Sequence, residues 1–372
     1  MKAVVAVFAA LVLMQRVQGY PLSAWYQCDR TRCVRPRCQC ASETSPLPVY
    51  DTPQFIVISN DDQVNPTTVR SMAKLVATAN NTNGCPIPVT WFTRSQFSTC
   101  PAIRDRYQRG DEFASHAVRH IKLSWITRTA DMYKEITGPR DYLYEKCGLP
   151  EGSVKGYRAP YRNSNPRVRE MLAGEGFTYD STTGFEFAEM YERPFPFTMN
   201  NGVPDPSCKT CAPTEAYSSI WEVPLWALSY EGQVYPMDPG MAKKKKSAKS
   251  LEYKGQVFPN EDLIEQDDGE GGRLTTRQRT IGYSAEAVLK NAFDQAYNNN
   301  RAPVPIAVHP YWFTETRLRE AQSFVEYALT FQDVYFVTMS QLVEWMEDPV
   351  PVRNMAVWLK NRCQNKSLRS QN

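Results

Sequence analysis

The sequence predicts an α/β fold built on parallel strands. Short apolar runs of strand length alternate with segments of helical periodicity, and glycines follow several of these segments. Polar side chains suited to catalysis come directly after several of the apolar runs, as expected at the carboxyl edge of a parallel sheet. The chain has 372 residues and is 42% hydrophobic, which is enough for a large core. The alternation favours a parallel sheet or a barrel.

The predicted elements follow one another in a regular order. The first strand is expected at Phe55–Ile58, and a helix over 66–80 follows it with Pro66 near its start. The other predicted strands are Ile87–Phe92, Glu112–Ser115, Val154–Tyr157, Phe177–Tyr179, Trp221–Leu225, Pro305–Val308 and Val334–Val337. The other predicted helices cover 97–109, 127–146, 165–175, 284–298, 315–331 and 340–348.

The first nineteen residues have the pattern of a secretory signal peptide. One positive charge precedes a short apolar run, and small residues before Tyr20 suit cleavage there. The alternative is a membrane anchor, but the run is shorter than the roughly 20 residues that a spanning helix needs. We therefore expect a secreted, extracellular protein that has no membrane span and starts near Tyr20.

The ten cysteines all follow the expected signal peptide, and four of them lie in a Cys-rich N-terminal segment, 20–48. An even number of cysteines in an exported chain favours disulfides, although the sequence does not give their pairing. The close spacing of Cys28, Cys33, Cys38 and Cys40 leaves zinc binding as the alternative.

One large domain is expected over 49–348, followed by a C-terminal tail, 349–372. Residues 238–280 interrupt the domain with a run of lysines at 243–246 and then an acidic stretch. Such a composition predicts a solvated, flexible insertion, the alternative being attachment to an acidic polymer or surface. Lys and Arg number 43 against 40 Asp and Glu, a balance that argues against nucleic acid as a partner.

Two of the three histidines, His116 and His120, are four residues apart. On a helical turn this spacing would put both imidazoles on one face, where they could share a metal ion. They follow the predicted strand Glu112–Ser115. The pair alone is a weak pattern that also arises by chance.

Paired aspartates, Asp61 and Asp62, come just after the first predicted strand. One carboxylate could bind a divalent cation while the other takes a proton from an attacking water. The alternative is an ordinary acidic turn, where aspartate is common.

Three further strand ends carry polar groups. His309 ends an apolar run and is either a structural histidine or a general acid. Arg158 and Tyr161 follow another strand, where an arginine could orient a carboxylate and a backbone N–H could face a developing oxyanion. Asp180 ends the strand Phe177–Tyr179.

The order of these elements is Asp-Asp, His-x3-His, Arg-x-Pro-Tyr, Asp and His, and in this order the chain resembles the polysaccharide deacetylase family of metal-dependent carbohydrate esterases. The resemblance covers about 28–348. It is similar to the arthropod-type chitin deacetylases in Asp61–Asn65, in the Cys208/Cys211 pair before Trp221–Pro224, and in His309 followed by Trp312. It implies a distorted, incomplete (β/α) barrel.

The resemblance also implies roles for single residues. Asp62, His116 and His120 would hold the metal, most commonly Zn²⁺. Asp61 would be the general base and His309 the general acid. Arg158 would orient Asp61, the Tyr161 N–H would face the oxyanion, and Asp180 would support His309.

Two positions depart from the family pattern. Asn60 stands where the family usually has an aromatic residue, and Ser181–Gly184 follow Asp180 where a tryptophan is expected. The missing tryptophan would line the sugar groove. Trp221 and Trp312, together with Trp226, are the candidates to replace it as substrate-binding rings.

We therefore expect deacetylation of chitin or a related N-acetylglucosamine polymer. The alternatives are an inactive chitin-binding or matrix protein on the same fold, and an esterase for another acetylated glycan such as xylan or peptidoglycan. Asn80 and Asn365 also fit the N-glycosylation pattern.

Overall fold

The computed structural model describes residues 18–19, 22–77, 79–184, 191–206, 208–218, 220–241, 251–253, 256–258 and 282–363. Most of the expected signal peptide, most of the insertion and the pattern at Asn365 lie outside these ranges.

The elements alternate much as the sequence predicts. The strands are β1 (Gln18–Gly19), β2 (Gln54–Asp62), β3 (Thr90–Thr93), β4 (Glu112–Ser115), β5 (Gly156–Tyr157), β6 (Tyr179–Asp180), β7 (Tyr191–Glu192), β8 (Phe197–Thr198), β9 (Trp221–Glu222), β10 (Leu228–Tyr230), β11 (Gln233–Tyr235), β12 (Leu251–Tyr253), β13 (Gln256–Phe258), β14 (Val304–Val308) and β15 (Val334–Phe336). The α-helices are α1 (Pro66–Val76), α2 (Cys100–Gln108), α3 (Thr129–Asp141), α4 (Pro166–Gly174), α5 (Ala285–Asn298), α6 (Glu315–Ala328), α7 (Met339–Glu347) and α8 (Val352–Lys360).

One nine-stranded sheet organises the described chain, in the order β14-β2-β3-β4-β5-β6-β9-β8. The ninth strand, β15, also pairs with β2. Every pairing is parallel except that of β8 with β9. The sheet curls into a half-barrel with helices around it, so the expected incomplete barrel is confirmed.

The central strand β2 is buried on both faces. Phe55 and Val57 pack into one apolar cluster, whereas Ile56 and Ile58 pack into the other. Alternate residues of a strand point to opposite faces, so this division means that helices cover both sides of β2. The carboxyl end of β2 is thereby held rigidly by two cores.

The ends of the helices follow the expected chemistry. Asn65 caps α1 by accepting hydrogen bonds from the backbone N–H groups of Thr67 and Thr68, and Pro66 occupies the first turn. Thr338 and Gln341 form a reciprocal capping box at the start of α7.

The residues that we treated as a C-terminal tail begin with a helix. Met355 and Leu359 on one side of α8 are buried in the core. The spacing of these apolar residues is helical, and it could have been recognised in the sequence.

All ten cysteines form disulfides, which rules out the zinc alternative for the N-terminal cysteines in this structure. The bonds are Cys28–Cys40, Cys33–Cys38, Cys85–Cys363, Cys100–Cys147 and Cys208–Cys211. Within the described ranges, no helix is both long enough and apolar enough to cross a membrane.

Candidate metal centre and active site

The site begins where β2 ends. Asp61 and Asp62 are its last two residues, and Asp62 adopts a left-handed backbone conformation with φ 81°. Successive side chains of a strand point to opposite faces, so a regular strand would separate the two carboxylates. The change of backbone conformation at Asp62 ends this alternation, and both carboxylates approach His116.

His116 and His120 do not lie on a helix, contrary to the local structure that we assumed for their spacing. They occupy an irregular turn after β4, in which Ala117 and His120 both have positive φ, 60° and 56°. The two imidazole centroids are 5.2 Å apart. The turn therefore brings the rings together by a different backbone path.

Asp62, His116 and His120 form a group that could hold a metal ion, with all three ligand atoms within 4.8 Å of one another. Asp62 Oδ1 lies 3.9 Å from His116 Nε2 and 3.4 Å from His120 Nε2. Asp62 Oδ1 and His116 Nε2 are buried and have no hydrogen-bond partner. Buried polar atoms left without partners are costly, and a divalent cation between them would satisfy both.

Both imidazoles are prepared for a metal. His116 Nδ1 lies 2.8 Å from the carbonyl oxygen of Arg158, which can only accept, so Nδ1 carries the proton and Nε2 offers its lone pair. Burial lowers the pKa of His116 and of His120 to about 4. The neutral form, which binds metals, therefore dominates at neutral pH.

Glu135, on α3, holds the histidine-bearing turn in place. Its buried carboxylate accepts the backbone N–H groups of Val118 and Arg119, each at 3.0 Å, and also pairs with the Arg119 guanidinium. Sequence reasoning missed this residue because the partners of a helical glutamate cannot be assigned without the tertiary structure.

Arg158 connects the candidate base to the neighbouring strands. Its Nη1 donates to Asp61 Oδ1 at 2.7 Å, and its Nε and Nη2 donate to the carbonyl and hydroxyl oxygens of Ser181, each at 2.9 Å. The guanidinium also stacks on Phe92. Burial would raise the pKa of Asp61, but the charge of Arg158 and its hydrogen bond, together with the charge of His309, outweigh burial and lower it. Asp61 is therefore an ionised carboxylate fixed in one orientation.

His309 is paired with Asp238, and not with Asp180 as we expected. Asp238 accepts the His309 backbone N–H at 2.9 Å and lies 2.8 Å from its Nδ1. The Tyr311 ring stacks on the imidazole, with centroids 5.0 Å apart. Asp238 belongs to the first residues of the expected flexible insertion, yet it is buried. The polar composition of that segment concealed it in the sequence.

The electrostatics of His309 are opposite to those of the other two histidines. Burial would lower its pKa, but the charge of Asp238 and its hydrogen bond, together with Asp62 and Asp61, raise it to about 9. His309 therefore carries a proton at neutral pH.

Asp180 supports the backbone instead of a histidine. Its carboxylate accepts the Thr182 hydroxyl, and Thr182 Oγ1 in turn accepts the Ala159 N–H at 2.8 Å. Burial raises the pKa of Asp180 to about 6. It also raises the pKa of Glu222, the residue paired with Asp180 on the neighbouring strand β9, well above its usual range. Ser181 and Thr182, in the segment that lacks the expected tryptophan, thus fix the positions of Arg158 and Ala159.

Trp221 and Trp312 do not offer rings to a substrate. Their exposed fractions are 2% and 0%, and the indole N–H of Trp312 donates to the Pro239 carbonyl. Trp226 is buried as well, with 1% exposed. The sequence shows an aromatic residue but not the side of the strand or loop on which its ring lies.

Tyr161 and Asn60 complete the site. Tyr161 lies in a short turn after β5 at φ 56°, and its half-exposed ring is 4.6 Å from that of His120, measured between centroids. Asn60 is fully buried, and its amide donates to the Asp61 carbonyl at 2.7 Å. Asn60 therefore holds the strand end with a hydrogen bond in place of aromatic packing.

Sequence comparison finds a known family in the part of the half-barrel that carries these strand-end carboxylates and histidines. Residues 54–179 match the family model for polysaccharide deacetylase.

The relatives of the chain agree with this match. It is 26% identical over 359 residues to chitin deacetylase 1 of Bombyx mori, a match that covers 90% of this chain but 60% of that protein. It is 23% identical over 360 residues to chitin deacetylase 8 of Bombyx mori, covering 93% and 85% of the two chains. A solved structure from Mycobacterium smegmatis assigned as a polysaccharide deacetylase has a TM-score of 0.53 at 17% identity, covering 88% of this chain and 99% of that one.

Proposed function

We propose that this protein is a metal-dependent deacetylase that hydrolyses N-acetyl groups of chitin or a related N-acetylglucosamine polymer and releases acetate. One observation carries the proposal. An ionised Asp61 and a protonated His309 both lie beside the group of Asp62, His116 and His120, in which Asp62 Oδ1 and His116 Nε2 lack hydrogen-bond partners. Amide hydrolysis needs a base, an acid and a group that stabilises an oxyanion, and these residues can provide all three.

Asp62, His116 and His120 would hold the cation. Two imidazoles and one carboxylate are a ligand set typical of a catalytic Zn²⁺ site that keeps a position open. The chemistry that such a cation supplies is polarisation of a carbonyl oxygen and acidification of water.

Asp61 is the general base in this mechanism. Its carboxylate accepts the proton of the attacking water, and Arg158 fixes the direction from which it does so. The buried guanidinium also keeps Asp61 ionised before the reaction, so no free energy is spent on deprotonating it.

His309 is the general acid. An amine leaves poorly as an anion, so the leaving nitrogen must receive a proton as its bond to carbon breaks. Asp238 keeps that proton on His309 at neutral pH and orients the ring through Nδ1, which leaves Nε2 to donate. The Tyr161 backbone N–H is the proposed donor to the oxyanion.

The polymer and the location are part of the proposal. The two Bombyx mori relatives are chitin deacetylases, which supports chitin as the substrate. Ten cysteines, all in disulfides, support an oxidising extracellular compartment.

Acetate release tests this function. The purified chain, loaded with Zn²⁺, should release acetate from N-acetylglucosamine oligomers and more slowly from acetylated xylan. A chelator should abolish the release and added Zn²⁺ should restore it. Equal activity with and without chelator, or release from xylan alone, would contradict the proposal.

A further inference from the structure

Since Trp221 and Trp312 are buried, another ring has to supply any stacking surface that the substrate uses. Phe97 is among the most exposed large apolar side chains of the described residues, with 65% of its surface accessible. It lies in the loop 94–99 that follows β3, on the same edge of the sheet as Asp62.

The loop 94–99 is attached directly to the metal-binding end of β2. The Arg94 N–H donates to the Asp62 carbonyl at 2.9 Å, and the Thr99 N–H donates to the Val64 carbonyl at 2.8 Å. The Ser98 hydroxyl accepts the Val64 N–H at 2.8 Å and donates to the Arg94 carbonyl at 2.6 Å. The loop is therefore rigid, and its position is fixed relative to Asp62.

Phe97 has an unusual conformation for a bulky residue. Its φ is 71°, in the left-handed region that costs non-glycine residues free energy. The Arg94 guanidinium lies over its ring, 5.2 Å from the centroid, and Arg94 also bonds Gln96. With 65% of its surface exposed, the ring is available to contact a bound molecule, and such a contact would remove apolar surface from water.

The position of Phe97 relative to the metal-binding residues indicates what kind of molecule its ring contacts. Arg94 connects Phe97 with the metal-binding residues, because its guanidinium lies over the Phe97 ring while its backbone N–H donates to the Asp62 carbonyl. Phe97 comes three positions after Arg94, so their Cα atoms are at most about 11 Å apart. A polymer whose acetyl group is at the metal centre extends across this distance.

We propose that Phe97 is a substrate-binding residue whose ring stacks on the apolar face of a sugar unit next to the one that is deacetylated. This inference rests on the proposed function and names one of its specificity determinants. Ring C–H groups of a pyranose meet the electron-rich face of the phenyl ring, and Arg94 holds the ring from the other side.

The test compares substrates of different length. Phe97→Ala should raise KM for a tetramer or longer oligomer of N-acetylglucosamine about 3- to 10-fold. The ratio of kcat/KM on the oligomer to kcat/KM on an activated aryl acetate should fall by the same factor. Phe97→Trp should retain the wild-type ratio, and Phe97→Leu, which is apolar but has no ring, should not.

Tyr50→Ala is the matched control. Tyr50 is 80% exposed but precedes β2 in sequence, so it lies near the end of the strand remote from Asp62. This variant should match the wild type on every substrate. An unchanged ratio in Phe97→Ala, or full retention in Phe97→Leu, would overturn the stacking proposal.

Calorimetric binding of the tetramer separates this proposal from the proposed function. If the wild type binds the tetramer without releasing acetate and Phe97→Ala binds it several-fold more weakly, the function is wrong and the stacking role stands. If the wild type releases acetate and both chains bind equally, the stacking role is wrong and the function stands. Absence of any binding by the wild type would overturn the stacking role.

Discussion

At the scale of single residues, the two adjacent aspartates should fail in different ways. Asp61 contacts Arg158, whereas Asp62 is one of the three residues that could hold the metal. Asp61→Asn should lower kcat by about 10²- to 10⁴-fold, because proton abstraction is lost while the ligands stay in place. Asp62→Asn should lower the metal content of the protein. Activity and elemental analysis on both variants check this, and equal loss of metal in the two would show that the roles are wrongly assigned.

His309 should give the reaction an alkaline limit. The raised pKa of about 9 means that the imidazole is protonated below this pH and neutral above it, so kcat/KM should fall as pH rises through about 9. Asp238→Asn removes the carboxylate that raises this pKa. The fall should then occur at lower pH, which a pH profile of kcat/KM measures.

Two outcomes would contradict the assignment of His309. One is an alkaline limit that stays in place in Asp238→Asn. The other is an equal loss of activity on the amide and on an activated aryl acetate in His309→Ala, accompanied by a lower melting temperature. The phenoxide of the ester needs little protonation, so a true acid should affect the amide more.

Site residues can be predicted from the sequence where their position depends only on the strand that they follow. The aspartates, the histidines and Arg158 follow strands, and a parallel sheet brings its strand ends together. Asp238 and the buried tryptophans depend on the packing of distant segments. No local pattern distinguishes an aspartate that contacts a histidine 71 positions later from one in a solvated loop.

At the scale of elements, the irregular turn 116–120 depends on a buried carboxylate of α3. Glu135→Gln should weaken Zn²⁺ binding about 10- to 100-fold, as loss of a group that orients metal ligands typically does. An amide in that position accepts fewer hydrogen bonds, so Val118 or Arg119 loses a partner. Competition with a chromogenic chelator measures the affinity.

Glu286→Gln is the control for this variant. Glu286 also pairs with a basic side chain, Lys290, but it lies on α5 and contacts none of the site residues. It should bind Zn²⁺ as the wild type does. If Glu135→Gln lowered the melting temperature while Zn²⁺ affinity stayed unchanged, Glu135 would be purely structural.

The predicted elements differ in how well their local sequence determines them. Glu112–Ser115 forms a strand with the predicted bounds, and most helices begin and end within a few residues of prediction. The four-residue spacing of His116 and His120 predicts a helical turn, but the structure has an irregular turn at 116–120. Positive φ at Ala117 and His120 is maintained by tertiary contacts, which spacing does not reveal.

At the scale of the whole molecule, one disulfide connects two parts of the chain that are far apart in sequence. Cys85 and Cys363 are 278 positions apart in sequence, and their bond attaches the region after α8 to the loop before β3. Replacing both with serine should lower the free energy of unfolding by about 2–5 kcal/mol, because a long closed loop is released in the unfolded chain. The paired replacement of Cys208 and Cys211, only three positions apart, should cost less. Denaturant unfolding of both variants checks the order, and a larger cost for the short loop would contradict the explanation.

The position of β2 has a consequence for how the protein is made. One edge of β2 is paired by β14, and the other carries β15 beside β3, so two of its three neighbours emerge from the ribosome long after β2 itself. Until residue 336 has emerged, β2, with its apolar run Phe55–Ile58, lacks some of its native partners. The nascent chain can assemble Asp62, His116 and His120 early, whereas His309 arrives last. The candidate acid therefore joins the site only after the metal-binding residues, and until β14 and β15 have formed, the open edges of β2 favour pairing with other strands.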